Sequence, residues 1–209
     1  IDKKKNRFKY SLMEKVKDNQ CYFLKSSTAL KNLPNESVNE FCFWGRSNVG
    51  KSSLLNSITK SKLAKTSKTP GRTTTLNFFE CKDKYRLVDL PGYGYAKRSK
   101  QDIYRWNELI IDYLNNRKRI ASIFLLIDSR HGIKKIDQEA IELIETFRNH
   151  FFIVLTKIDK IKEKELENCY KKLNNLIKSL FSVDQRIFST SSRKNMGIRE
   201  ITKVILEMS

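Results

Sequence analysis

The sequence predicts one α/β domain, a doubly wound and mostly parallel sheet of six strands, one of them antiparallel, with helices on both faces. Three observations predict it. Short apolar runs alternate with longer amphipathic stretches, a glycine-bearing loop of phosphate-binding type joins the first such run to the first helix, and 39% hydrophobic residues in 209 suffice for one core. Residues 1–20 are polar and basic and read as a helix or arm outside the domain, which spans 21–209. A strand from Phe41 to Trp44 leads into the glycine loop, and Ser52 to Lys60 follows as a helix. Leu76 to Cys81 and Tyr85 to Asp89 are separated only by Lys82-Asp83-Lys84, so they form an antiparallel hairpin. Asp102 to Asn116 has helical spacing through Ile103, Trp106, Ile110 and Leu114. Three strand and helix pairs complete the chain: Ile120–Ile127 with Ile136–Arg148, Phe151–Leu155 with Lys162–Leu180, and Arg186–Phe188 with Ile198–Glu207. Right-handed crossovers place their helices on the two faces.

Composition narrows the function. The apolar share excludes a disordered chain, and the longest strongly apolar stretch stops at Asp128 after Ile120–Ile127, far short of the ~20 residues of a membrane span. A soluble protein without membrane partners is expected. The chain opens at Ile1 without methionine or a charged-then-apolar leader, so a trimmed start and no export signal are expected. Cys21, Cys42, Cys81 and Cys169 have neither zinc nor disulfide spacing and read as small buried thiols in a reducing compartment, the cytoplasm. His131 and His150 read as surface histidines. Forty-two Lys and Arg against 23 Asp and Glu give +19, a charge that attracts polyanions, RNA above all. Lysine outnumbers arginine 29 to 13, as an AT-rich genome alone would produce.

Gly45-Arg46-Ser47-Asn48-Val49-Gly50-Lys51-Ser52 has two glycines spaced for a phosphate loop, then Lys and Ser, between a strand and a helix. Backbone N–H groups and the helix N-terminus would face phosphates, Lys51 would reach the outer ones, and the Ser52 hydroxyl would ligate Mg²⁺. Asp89-Leu90-Pro91-Gly92 ends the third strand, where Asp89 would hold the magnesium through water and the Gly92 amide would sense a γ-phosphate. Thr156-Lys157-Ile158-Asp159 ends the fifth strand, at the crevice of such a sheet. There Asp159 could accept two hydrogen bonds that guanine offers and adenine does not, and Lys157 would pack over the ring. Ser191-Ser192 would add backbone contacts to the base.

These motifs resemble the translation-factor-type GTPases and, more closely, the EngB (YsxC/YihA) family of bacterial ribosome biogenesis GTP-binding proteins. The marks are Gly45 to Ser53 with Asn48, Lys68-Thr69-Pro70-Gly71-Arg72-Thr73 followed by Asn77-Phe78-Phe79, Asp89 through Ala96, and Thr156 where Asn is commoner. Similarity runs from about Cys21 to the C-terminus. The resemblance implies a GTP or GDP site made by Gly45, Arg46, Ser47, Asn48, Val49, Gly50, Lys51, Ser52 and Ser53, by Gly71, Arg72, Thr73, Thr74 and Thr75, by Asp89, Leu90, Pro91 and Gly92, and by Thr156, Lys157, Ile158, Asp159, Thr190, Ser191 and Ser192. Lys51, Thr73 and Gly92 are expected to carry catalysis, and Ser52, Thr73 and, through water, Asp89 to hold Mg²⁺. Late assembly of the large ribosomal subunit, a link to cell division and septation, and a monomer are also expected.

Lys60 to Arg72 carries five basic residues and no acidic one before the threonine run. The family pattern selects Thr73 as the γ-phosphate sensor, with Thr74 second and Thr75 suited to start the next strand. Tyr93 stands where many GTPases have the glutamine that orients water, so hydrolysis is expected to be slow without a partner or a cation. Tyr93 and Tyr95 form either a contact surface or packing against the following helix. Arg46, Arg72 and Arg98 are candidate charge stabilisers, and Asn48 either holds a K⁺ beside the β/γ bridge or shapes the turn. Rival readings are a regulatory GTPase of division or membrane-associated proteins, a basic RNA-binding module with structural GTP, and a metabolite kinase.

Overall fold

The computed structural model describes residues 21–64, 75–94 and 100–209. The expected arm, 1–20, and the positions 71–74, 95 and 98 named above lie outside the described residues. The elements are β1 Cys21–Ser27, β2 Asn39–Gly45, α1 Lys51–Thr59, β3 Leu76–Cys81, β4 Tyr85–Asp89, α2 Lys100–Asn116, β5 Ile120–Asp128, α3 Lys135–Thr146, β6 Phe151–Thr156, α4 Glu163–Ile177, β7 Val183–Ser189 and α5 Ile198–Glu207. They make one sheet in the order β1-β3-β4-β2-β5-β6-β7. β3 is antiparallel to both neighbours and every other pairing is parallel. The expected architecture stands, with a seventh strand added at one edge. β1 has no apolar alternation to announce it; it is a strand because its main chain mates with the open edge of β3, across an irregularity between Phe23 and Lys25.

Strand pleating sorts successive side chains to opposite faces. Cys42 and Trp44 join Val88, Ile123 and Ile153 under α2, α3 and α4, while Phe41 and Phe43 join Leu87, Phe124 and Phe152 under α1 and α5. Phe43, Phe124 and Phe152 stack across β2, β5 and β6 with centroids 5.0 and 5.3 Å apart. Each such ring contributes about 2–3 kcal/mol by burial alone. This ladder fixes the sideways register of the three strands whose ends build the site. No helix among the described residues is long and apolar enough to cross a membrane.

Two readings are corrected. Cys21 and Cys81 face each other in the β1–β3 register and form a disulfide, so only Cys42 and Cys169 are free thiols. The pairing was invisible because it exists only once β1 has docked. His150 is half-buried, edge-on to Phe152 with Nδ1 3.1 Å from the Ser122 hydroxyl, rather than a surface residue.

At the sheet end where the parallel strands begin, fully buried Glu40 gathers the connection into β2. Its Oε2 accepts from Tyr113 OH and Arg117 Nε, each at 2.8 Å, and its Oε1 lies 3.5 Å from Arg86 Nη1. Arg86 also donates to Glu80, to the Asn35 carbonyl and, at 3.0 Å, to Ser37 Oγ. Removing one member of a buried ionic network strands the others. Glu40→Ala is therefore expected to cost about 3–5 kcal/mol, read as a lowered urea midpoint; a change under about 1 kcal/mol would mean that the arginines find other partners.

Candidate functional site

β2, β4, β5 and β6 all end on the same side of the sheet, and the loop Arg46–Gly50 rises from the first of them. Its carbonyls are tied off from behind. Gly45 O accepts from Tyr93 N at 3.3 Å, Arg46 O from Val49 N at 3.1 Å, and Gly50 O from Leu54 N at 2.9 Å. Lys157 Nζ takes Asn48 O at 2.6 Å and Thr156 Oγ1 takes Val49 O at 2.7 Å. Gly50 is the N-cap of α1 and no side chain caps it, so the first-turn N–H groups have no partner within the helix. A loop with most acceptors filled, and with the N–H groups of Asn48, Gly50, Lys51 and Ser52 left without a partner among the described residues at a helix N-terminus, suits phosphate. Asn48 has φ 63°, a left-handed conformation that Asn tolerates better than most residues, which gives its turn-shaping role a physical basis.

The turn Leu90–Gly92 is zipped onto this loop. Leu90 N donates to Phe43 O at 3.0 Å and Ser47 N to Tyr93 O at 3.0 Å. Gly92 is needed for that approach: a Cβ there would lie 3.1 Å from Ser47 N and 3.2 Å from Gly45 O. Lys51 Nζ donates to the buried Asp89 carboxylate, so the two motifs meet through their functional groups. Ser52, in the first turn of α1, and Asp89, at the end of β4, are hard oxygen donors of the kind that Mg²⁺ takes.

Tyr93 is turned inward. Its ring meets Trp44 edge-on at 5.1 Å, and its hydroxyl donates to Asp137 Oδ1 at 2.9 Å. Burial, reinforced by Asp137, pushes its phenol well above the usual range. Asp137 is fully buried, accepts the Lys134 N–H at 2.8 Å and lies 3.2 Å from Arg46 Nε, whose angle falls short of a hydrogen bond. Arg46 Nη2 donates to Gly132 O at 3.0 Å. Of the two readings of Tyr93 the packed one is observed, with Trp44 of β2 and Asp137 of α3 as its partners where the following helix, α2, was expected. The Arg46 guanidinium points at the start of α3, so Arg46 contributes to the phosphate loop through its backbone.

The third motif lies across the crevice. Ser191 Oγ donates to Asp159 Oδ1 at 2.7 Å and holds that carboxyl below its ordinary pKa. Ile158 N and Thr190 O are 3.2 Å apart, while the Thr190 hydroxyl and N–H both bond Leu155 O, so Thr190 shapes the loop and its side chain is buried. Gly197 closes the same loop at φ 69°, where a Cβ would lie 2.0 Å from Ser189 O. Thr75 donates to Asn77 Oδ1 at 2.9 Å at the head of β3. Thus the residues of 45–53, 89–92, 156–159 and 190–192 come together at one end of the sheet.

Sequence reasoning missed Asp128 and Asp137. Asp128 ends β5 and accepts from Lys157 Nζ at 2.8 Å and from Arg130 Nε at 2.9 Å. Burial alone would raise its pKa, yet these hydrogen bonds hold it at about 2. The signal was its place, since strand ends line the crevice in this architecture. Asp137 carried only the sign of an acidic residue in a helical first turn.

The family model described as 50S ribosome-binding GTPase matches residues 40–157, and the one described as the elongation factor Tu GTP binding domain matches 111–209. The chain is 42% identical over 188 residues to the probable GTP-binding protein EngB of Roseobacter denitrificans, covering 90% of this chain and 87% of that one. To the probable EngB of Prosthecochloris aestuarii it is 44% identical over 183 residues, covering 87% and 95%. A crystal structure of a probable EngB superposes with TM-score 0.65 at 25% identity, over 81% of this chain and 97% of that chain. A variant of Aquifex aeolicus Era bound to GDP and AlF4⁻ shares the fold, with TM-score 0.65 at 24% identity over 82% of this chain and 57% of that chain.

The lowered pKa of Asp128 has a definite sign. The folded state holds this carboxylate ionised below its unfolded pKa, so its contribution is complete above about pH 4 and fades as pH falls towards 2. Asp128→Asn should lower stability by about 1–2 kcal/mol at pH 7, and the gap to wild type should close below about pH 4 in thermal melts. A gap that is constant with pH would contradict the assignment.

Proposed function

The chain belongs to the EngB family of GTP-binding proteins and is a GTPase, and on that premise we propose that it is a nucleotide-controlled switch on the large ribosomal subunit. It acts during assembly of that subunit, and normal division and septation follow from the assembly. The observation that carries the reading is the phosphate loop, with most of its carbonyls occupied and the N–H groups of Asn48, Gly50, Lys51 and Ser52 without a partner among the described residues, on the same end of the sheet as Asp159. The family description, 50S ribosome-binding GTPase, supports the partner, and the net charge of +19 supports an RNA surface.

In this reading Lys51 would leave Asp89 for the outer phosphates, and Ser52, Thr73 and, through water, Asp89 would hold Mg²⁺. Bound Mg²⁺ neutralises charge on the β- and γ-phosphates. β3 runs antiparallel with Asn77 opposite Asp89, which sets Thr75 at the crevice end of the sheet. Thr73 precedes Thr75 by two residues in the sequence. It is assigned the γ-phosphate contact, with Gly92 as the second sensor. Tyr93 has no amide to orient water and its hydroxyl is held by Asp137, so turnover is slow until the ribosome, or a K⁺ near Asn48, supplies positive charge.

Base recognition is tested at Asp159. Xanthine has a carbonyl where guanine has its amine, so Asp159→Asn should move preference from GDP to xanthosine diphosphate by at least tenfold in competition titrations. Retained GDP preference would remove Asp159 from the base. The switch is tested by sedimentation with ribosomal subunits: the form bound to a non-hydrolysable GTP analogue should co-sediment with the large subunit and the GDP form should not. Thr73→Ala should abolish that difference while sparing GDP affinity. Equal sedimentation of both wild-type forms would rule out a switch.

A further inference from the structure

We propose that the pole opposite the nucleotide crevice is a second, nucleotide-independent RNA-binding surface, made by the loops that enter β5, β6 and β7 and centred on Phe181. It rests on the reading that the partner is ribosomal RNA. Those loops lie side by side: Glu40 N donates to Arg119 O at 2.7 Å, Ile123 N to His150 O at 2.9 Å, and Phe151 N to Ser182 O at 3.0 Å. Neighbouring strands are about 5 Å apart, so the three loops span only about 10 Å at one end of the sheet. Each brings exposed cations: Lys118 and Arg119 before β5, Arg148 before β6, and Lys178 before β7. None of the four takes part in an ion pair among the described residues.

Carboxylates that reach these loops are committed elsewhere. Glu36 accepts the Lys118 N–H at 2.9 Å and pairs with Arg117, and Asp184 pairs with Arg186 at 2.8 Å. Glu145, from the last turn of α3, accepts the N–H groups of Phe181 and Ser182 at 3.3 and 2.9 Å. Its grip fixes the turn after α4, so the Phe181 ring, 98% exposed, stands outward from an anchored backbone. A single exposed ring is ordinary on a protein surface; its place on the turn between exposed cations is what gives it a use. One flat aromatic face among three loops of cations suits a stacked base and its phosphates. It suits a protein partner less well, because the neighbouring Leu180 is partly buried against the core and the apolar patch is a single side chain.

β5 alone is nine residues, about 30 Å long, so this pole is far from the phosphates and its affinity should not follow the nucleotide. Anisotropy with a fluorescein-labelled single-stranded RNA of about 16 nucleotides tests it, with inorganic polyphosphate and phosphatidylserine vesicles as parallel probes. Phe181→Ser should weaken RNA binding about tenfold, leave polyphosphate binding and the melting temperature unchanged, and act equally in GDP and in a non-hydrolysable GTP analogue. Lys118→Gln, Arg148→Gln and Lys178→Gln together should flatten the salt dependence of RNA binding by roughly 2 in logarithmic slope. RNA affinity unchanged in both variants, dependence on nucleotide, or a loss confined to vesicles overturns the proposal. Subunit sedimentation of the wild type separates the two readings. If it fails while Phe181→Ser still loses RNA, the pole stands and the ribosomal partner falls; if it succeeds while both variants keep RNA, the reverse holds.

Discussion

The shape of the loop between Gly45 and Gly50 is the constraint from which the rest of this structure follows. Six residues must turn from a strand into a helix, and three of their carbonyls take donors brought from elsewhere in the chain. Val49 and Asn48 take theirs from Thr156 and Lys157 at the end of β6, and Gly45 takes its own from Tyr93, beyond the end of β4. Strands β4 and β6 must therefore end level with β2 although neither lies next to the other. The stacked phenylalanines of β2, β5 and β6 keep that level. Core packing and ligand chemistry are thus one problem here, solved by strand register.

Asp137 extends the same frame to α3. A buried carboxylate that takes a helical N–H, a phenol and a nearby guanidinium has little freedom to let one go without unbalancing the others. The phosphate loop, the turn after Gly92 and the first turn of α3 consequently share a single junction. Displacement of Tyr93 leaves a buried charge facing Arg46, which favours moving the junction as a unit.

Much of this was legible in the sequence where pattern and chemistry agree. The hairpin Leu76–Cys81 and Tyr85–Asp89 and the helix Ile198–Glu207 have the boundaries that periodicity assigns. The residues of the phosphate loop and of Thr156–Asp159 sit where the motifs put them, because each motif is a backbone geometry written in obligatory residues. Strand β1 was not legible, because CYFLKSS pairs by main chain and shows no alternating face. Val183–Gln185 was missed at the start of β7 because Asp184 and Gln185 fall in the irregularity between the Phe151–Val183 and Ile153–Ile187 pairs and show no apolar alternation. Asp128 and Asp137 were passed over because a lone carboxylate acquires meaning from partners that are distant in sequence.

The bond joins Cys21 and Cys81, 60 positions apart in sequence, into a covalent ring, and the phosphate loop and all of α1 lie inside it. An edge strand ordinarily frays from its free end inward, since its outermost pairs have water on one side. Here the outermost pair of β1 with β3 is the one that is tied. Fraying must begin instead at Ser27 and Leu76, the end nearest the crevice. The ring thus turns the edge of the sheet into a hinge with its pin at the far side, so that β1 opens, if at all, towards the nucleotide.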